Sequence, residues 1–117
     1  MTTTSSTPGK TTIALEVLVT IARLTTLSVD GVSHMAYGPS EMNRIFKRGA
    51  SEGVKISVED NMVYADLYVI LKNDYNVRDV SHNVQSKVSR AISEMVGMDV
   101  GKINIHVEDI EVNQSDT

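Results

Sequence analysis

A histidine and two carboxylates stand close together at a change of pattern in the sequence. Asp74, Asp79 and His82 lie in YVILKNDYNVRDVSHNVQ, which begins with the alternation of a strand and continues with the wider spacing of a helix. Imidazole and carboxylate suit general acid–base catalysis, but a catalytic site also needs a third convergent group and a cleft. Asn76 is suited to cap the helix, with Asp79 at the third helical position. We therefore interpret the group first as the start of a helix.

His106 is the second residue that could take part in chemistry. The predicted sheet places it near Asp66 or Glu108, and an imidazole beside a carboxylate can serve as a general base or a weak metal ligand. A single histidine, without a second one at ligand spacing, is more often part of a water-facing strand. We expect no bound metal and no cofactor, and an enzyme centred on His106 and Asp66 is the least favoured function.

The sequence lacks other catalytic motifs. The segment GASEG, residues 49–53, has neither the Lys-Ser/Thr of a phosphate-binding loop nor the setting of a dinucleotide fingerprint. Ser86 and Lys87 are adjacent on a regular helix, outside any Gly-x-Ser-x-Gly or Ser-x-x-Lys context. Cysteine is absent, which excludes disulfides, thiolate metal sites and a cysteine nucleophile. The sequence predicts a protein that is not an enzyme.

Length and composition are typical of one globular domain. The 117 residues are 41% hydrophobic but only 4% aromatic, so Val, Ile, Leu and Met must build the core. We predict one domain over residues 9–112, between disordered polar tails of residues 1–8 and 113–117. We predict no secretory signal, and the longest apolar stretch is too short to span a bilayer. The net charge of −4 disfavours nucleic acid as a partner, because it repels a phosphate backbone.

Hydrophobic periodicity predicts a series of helices and strands. Apolar residues three and four positions apart indicate a helix, whereas alternation indicates a strand. Asp30-Gly31 and Asp60-Asn61 are suited to turns, because these residue types tolerate left-handed backbone. The predicted elements are a helix from Ala14, a short strand VSHMAY, a short helix from Ser40 to Gly49, a hairpin VKISVEDNMVYADLYVILK, a helix from Asn76 to Gly97 and a last strand KINIHVEDIEV.

Each of the two long helices is predicted to bury one apolar stripe. The stripe of the first helix is Ala14, Val17, Leu18, Ile21, Leu24 and Ser28, and that of the second is Val77, Val80, Val84, Val88, Ala91, Ile92 and Met95.

The order of these elements predicts an α+β fold. The simplest arrangement is a two-layer sandwich, a small and mainly antiparallel sheet with the two main helices packed on one face. The other face is then open. Aromatic and apolar residues repeated on such a face are typical of a protein interface. Cross-strand pairing, or cover by a tail or by the predicted short helix with Phe46, would also explain them. The candidate interface residues are Tyr64, Asp66, Tyr68, Ile70, Asn104 and His106.

The chain has one basic cluster, in and after the predicted short helix. Four basic residues could meet phosphate, anionic lipid or an acidic partner, but in an acidic chain such a cluster is more often a solvated face. The members of this candidate basic patch are Arg44, Lys47, Arg48 and Lys55.

Seven segments, in their order and spacing, together resemble the bacterial alkaline shock protein family of envelope stress response proteins. The matches run from Ile13 to Ile110 and cover nearly the whole predicted domain. The segments are IALEVLVTIA, VDGV, GVKISVED, DLYVIL, VQSKV, MVGM and INIHV.

The resemblance implies a non-enzymatic, cytoplasmic scaffold or adaptor with no catalytic residues. Members of the family associate with themselves, so a homo-oligomer is expected. Some dock on a small integral membrane anchoring protein at the inner face of the membrane. The family usually has Gly at the position of Asp74 and often Pro at that of Arg78, so the local turn is expected to differ here.

A KH-like RNA-binding module is the alternative interpretation, because a helix-strand-strand-helix-strand order is similar. Two observations disfavour the KH-like interpretation. The Gly-x-x-Gly between helices is missing, and the net charge is negative.

Overall fold

The structure is a computed structural model that describes residues 14–36, 50–51 and 53–112. The predicted tails, residues 1–8 and 113–117, lie outside the described residues. So does the predicted short helix with Arg44, Lys47 and Arg48.

The described residues form an α+β fold, as the sequence predicts. Both helices pack against the sheet and against each other. In chain order the elements are α1 (Leu15–Leu27), β1 (Val32–Met35), β2 (Ala50–Ser51), β3 (Val54–Glu59), β4 (Met62–Lys72), α2 (Val77–Val96) and β5 (Asp99–Glu111).

β4 is the central strand of the described sheet. Its residues 62–67 pair with β3 and its residues 69–71 pair with β1, both antiparallel, while β5 runs parallel to it along residues 62–72. β2 adds to β3 in antiparallel pairing. Three of these four pairings are antiparallel. β5 is parallel because α2 carries the chain back across the sheet before β5 begins, as parallel neighbours require.

Two turns have the backbone that their residue types predict. Asp60 and Asn61 have φ of 52° and 67° and join β3 to β4, which are the values that a two-residue hairpin turn requires. Gly31 has φ of 99° after α1, and a Cβ there would lie 2.6 Å from Cγ2 of Val80. Glycine is therefore required both for the turn and for the close approach of α2.

α1 buries a different face from the predicted one. Leu18 of the predicted stripe is buried, but Val17 and Leu24 of that stripe are 45% and 54% exposed. The other buried residues of α1 lie outside the predicted stripe: Val19, Ala22 and Thr26. Apolar residues surround more than half of this helix, so spacing alone does not select the buried face. The small Ala22 and the short Thr26 allow close packing, and the Thr26 hydroxyl donates to the Ala22 carbonyl at 2.7 Å.

α2 begins and ends where the sequence predicts. The Asn76 side chain accepts from the Asp79 N–H at 3.0 Å, and Gly97 ends the helix with φ of 73°. The middle of the predicted stripe is buried, but Val77 and Met95 are 42% and 69% exposed. Both stand within two residues of a helix end, beyond the turns that face the sheet. The buried residues of α2 are Val80, Val84, Val88 and Ile92.

The core lies between the helices and one face of the sheet. Alternate residues of β4 are at most 2% exposed and form the centre of this core: Val63, Ala65, Leu67, Val69 and Leu71. The intervening residues of β4 therefore point to the opposite face, away from the helices.

Candidate functional site

All the candidate interface residues lie on this face of the sheet, which neither described helix covers and which we call the open face. Tyr64, Asp66, Tyr68 and Ile70 alternate with the core residues of β4 and are half-buried. The parallel register places Asn104 opposite Asp66 and His106 opposite Tyr68. That the open face binds another protein stays a prediction.

Tyr68 and His106 form the aromatic centre of the open face. Their ring centroids are 4.4 Å apart and the ring planes differ by 12°, so the rings are stacked. Each ring limits the movement of the other, which leaves little side-chain entropy to lose on binding.

Asp66 is held by side chains from the neighbouring strand. Its Oδ1 lies 3.0 Å from Nε2 of His106 and accepts a hydrogen bond from Nδ2 of Asn104 at 3.1 Å. Lys55 lies opposite Asp66 on β3. Partial burial by itself would raise the pKa of Asp66, but the two hydrogen bonds and the charges of His106 and Lys55 hold that pKa below its usual value. Asp66 is therefore a stable anion within a polar network.

The phenol of Tyr68 has the opposite shift. Burial is the main cause that raises its pKa, and the negative charges of Asp66 and Glu108 raise it further. Tyr68 accordingly stays a neutral hydrogen-bond donor at physiological pH.

The structure adds Gly101 and Met62 to the open face, which sequence reasoning missed. The Tyr64 hydroxyl donates to Sδ of Met62 at 3.6 Å. A Cβ at Gly101 would lie 2.6 Å from the Tyr64 ring, so the ring lies over the glycine backbone. A glycine within a predicted strand is the signal for such a close approach.

The candidate basic patch is not assembled within the described residues. Arg44, Lys47 and Arg48 lie outside them, and Lys55 is exposed on β3 beside Asp66. Lys55 therefore belongs to the Asp66 network of the open face.

The titratable groups that the sequence offers for chemistry lie at two separate places in the fold, on α2 and on the open face. Asp79 and His82 are both exposed on α2, where the Asp79 N–H completes the helix cap. In residues 14–36, 50–51 and 53–112, no three histidine, aspartate or glutamate side chains are grouped to hold one metal ion. His106 and Asp66 form a pair without a third such group beside them.

A family model described as the alkaline shock protein 23 family, with a cell envelope-related function, matches residues 3–112. The chain belongs to this family. The resemblance found in the sequence is thereby confirmed.

Two bacterial proteins illustrate the alkaline shock protein relationship. YloU of Bacillus subtilis (strain 168) is 29% identical over 110 residues, which are 89% of this chain and 90% of YloU. Spy1535 of Streptococcus pyogenes serotype M6 is 34% identical over 103 residues, 87% of this chain and 79% of Spy1535.

Solved structures of MamM CTD have a similar fold. One of them covers 83% of this alkaline shock protein family chain and 98% of its own, with a TM-score of 0.52 and 12% sequence identity. Another has a TM-score of 0.51 at 12% identity. At this identity the likeness concerns the fold alone.

The structure also bears on the position at which this chain departs from the usual alkaline shock protein pattern. Asp74 has φ of 75°, a left-handed conformation that glycine adopts without strain. The backbone here thus keeps the conformation that the usual glycine favours.

Neither described helix combines the length and the apolar character that a bilayer crossing demands.

Proposed function

We propose that this protein is a non-enzymatic cytoplasmic scaffold or adaptor of the cell envelope. In this proposal it associates with itself and docks, through its open face, on a small membrane-anchored partner at the inner face of the membrane. The membership in a family of cell envelope-related function supports the general setting.

The stacked pair Tyr68 and His106 is the observation that carries the proposal. The pair is half-buried at the centre of a face that no described helix covers. Aromatic rings with polar ends are typical of binding hot spots, because they bury a large area at a small entropic cost. Tyr64 and Ile70 extend the same row along β4.

The polar groups around the tyrosines favour a specific contact. Asp66 accepts hydrogen bonds from Asn104 and His106 within the free protein, so this carboxylate is already positioned before a partner arrives. A partner that offers an apolar residue to the rings and a donor to the Asp66 carboxylate would match the face. Such a mixed surface is common in interfaces between proteins that also exist apart.

The arrangement of His106 and Asp66 supports a role in binding over a role in catalysis. The side chains of His106 and Asp66 are 39% and 32% exposed, so water reaches both groups of the pair. General acid–base catalysis relies on convergent groups and on the exclusion of water. An adaptor needs neither.

The test is a pull-down with the tagged protein from gently solubilised native membranes, read by mass spectrometry. The parent protein should recover an integral membrane protein, and the double variant Tyr64→Ser, Tyr68→Ser should lose it. Tyr75→Ser is the matched control, because Tyr75 is 46% exposed and does not belong to the open face. Equal recovery by the double variant would contradict docking through this face.

A further inference from the structure

β5 forms one edge of the described sheet. β4 pairs with β5 on one side and with β3 and β1 on the other. Within residues 14–36, 50–51 and 53–112, no strand pairs with the other side of β5. This strand has 13 residues, whereas β2 at the opposite edge has two. A long edge strand offers its unpaired N–H and C=O groups to another strand.

The hydrogen bonds of Tyr68 define which groups of β4 point to β5. The Tyr68 N–H donates to the Gly53 carbonyl and the Tyr68 carbonyl accepts from the Ala36 N–H, both at 2.8 Å. These bonds direct the backbone groups of Tyr68 away from β5. Since successive residues of a strand alternate in direction, Leu67 and Val69 direct their N–H and C=O groups toward β5.

The same alternation identifies the groups at the outer edge of β5. Ile105 lies opposite Leu67, and in a parallel ladder the residue opposite a bonded one directs its N–H and C=O the other way. Ile103, Ile105 and Val107 therefore present their backbone groups at the edge. A hydrogen bond from Gln85 is consistent with this direction, because its Nε2 donates to the Ile103 carbonyl at 2.9 Å. A carbonyl oxygen has a second lone pair and can accept another donor.

The middle of this edge lacks the usual protection against pairing. Protected edges contain lysine, inward charges, proline or a bulge, but the segment INIHV, residues 103–107, contains none of these. The register shifts of β5 fall outside it, near Gly101 and Glu108. Ile105 and Val107 point to the helix layer and yet are only half-buried. The segment is a straight, uncharged strand with an incompletely covered apolar side.

The charges on either side of this segment define a register. If Ile105 lies opposite its symmetry mate in an antiparallel pair, Lys102 of each copy lies opposite Glu108 of the other. Both side chains are exposed, and opposite charges across a strand pair stabilise it. In the same register Ile103 lies opposite Val107, on the side of the helices. This pairing requires that the N–H and C=O groups of Ile103, Ile105 and Val107 point outward from the edge, as they do.

We propose that two copies of this chain pair antiparallel through residues 103–107 of β5 and form one continuous sheet, with Lys102 and Glu108 on either side of the paired segment. The inference rests on the self-association in the proposed function and assigns it to an edge separate from the docking tyrosines. The two open faces then lie side by side, and each dimer presents two stacks of Tyr68 on His106. One dimer could hold two copies of a membrane-anchored partner.

Charge reversal tests the register. Lys102→Glu and Glu108→Lys each turn two attractive pairs per dimer into repulsive ones, so each should raise the dimer Kd about tenfold in sedimentation velocity runs. The double variant restores opposite charges and should return to the parent Kd. Lys87→Glu, at an exposed position on α2, is the control and should change little. Equal Kd values in all variants, or no recovery in the double variant, would overturn the proposal.

Amide hydrogen exchange tests the pairing itself. The N–H groups of Ile103, Ile105 and Val107 should exchange slowly at concentrations that give dimer and quickly in the monomer. A monomer in which they are already protected would mean that the chain covers its own edge, which overturns the proposal. A dimer that is lost in the Tyr64→Ser, Tyr68→Ser variant and unaffected by charge reversal would overturn edge pairing while leaving the scaffold function intact.

Discussion

Asp66 shows how single side chains make the open face sensitive to acid. Its pKa is held down by hydrogen bonds from His106 and Asn104, against the effect of burial. A carboxyl group with a lowered pKa in the folded state contributes stability above its unfolded pKa. That contribution is lost as the pH falls through the folded value. The relevant pH window therefore lies below 3.8, the ordinary pKa of an aspartate.

We predict that His106→Ala raises the pKa of Asp66 toward its ordinary value, because the imidazole hydrogen bond and charge are removed. An NMR titration of the Asp66 carboxyl carbon measures this directly. The stability difference between the parent and Asp66→Asn should be about 0.5 kcal/mol at neutral pH and should vanish in strong acid. An unchanged pKa in the His106 variant would show that the hydrogen bond does not form in solution.

Asp74 is a second residue whose conformation leads to a test. Its φ of 75° is energetically unfavourable for an L-residue with a side chain, but not for glycine. We predict that Asp74→Gly raises the free energy of unfolding by up to about 1 kcal/mol, measured by urea denaturation. Asn73→Gly is the control, since Asn73 has no positive φ, and it should lower stability. A loss of stability in both variants would contradict the argument.

At the scale of elements, the helix and strand boundaries follow from local chemistry. Caps and turn residues determine the backbone conformation of their immediate neighbours, so the sequence predicts their effects. Asn76, Gly97 and the Asp60-Asn61 turn are of this kind. The buried face of α1 is different. It depends on which side chains fit against β1, β3 and α2, and the apolar residues of the helix allow more than one choice.

Two leucines on α1 provide the test of that choice. Leu18 is 0% exposed and Leu24 is 54% exposed. We predict that Leu18→Ala lowers the free energy of unfolding by about 2–5 kcal/mol, because it leaves a cavity. Leu24→Ala should change it by less than about 0.5 kcal/mol. Chemical denaturation of the pair measures both, and similar losses in the two variants would favour the stripe predicted from spacing.

The candidate site also has a part that local pattern predicts and a part that depends on tertiary packing. Alternation along β4 and β5 was enough to place Tyr64, Asp66 and Tyr68 on one face. Spacing could not show that His106 stacks on Tyr68 while it bonds to Asp66, because this contact depends on the parallel register between distant strands. The approach of Tyr64 to Gly101 depends on the irregular register there, which periodicity does not reveal.

At the scale of the whole molecule, the charge balance bears on the KH-like alternative. A net charge of −4 repels a phosphate backbone at long range. We predict no measurable binding of a fluorescent single-stranded RNA at physiological salt, monitored by anisotropy. A bovine serum albumin sample controls for nonspecific effects. Binding that weakens steeply with added salt would instead support an RNA-binding module.

The sequence by itself determined the element types, most of their ends, the open face and the family. These depend on period, caps and turn residues, which act over a few positions along the chain. The tertiary structure alone decided the face of α1 that is buried, the parallel pairing of β5 with β4 and the contacts around Asp66. They depend on side chains that are distant in sequence and meet only when the two layers pack, so no local pattern encodes them.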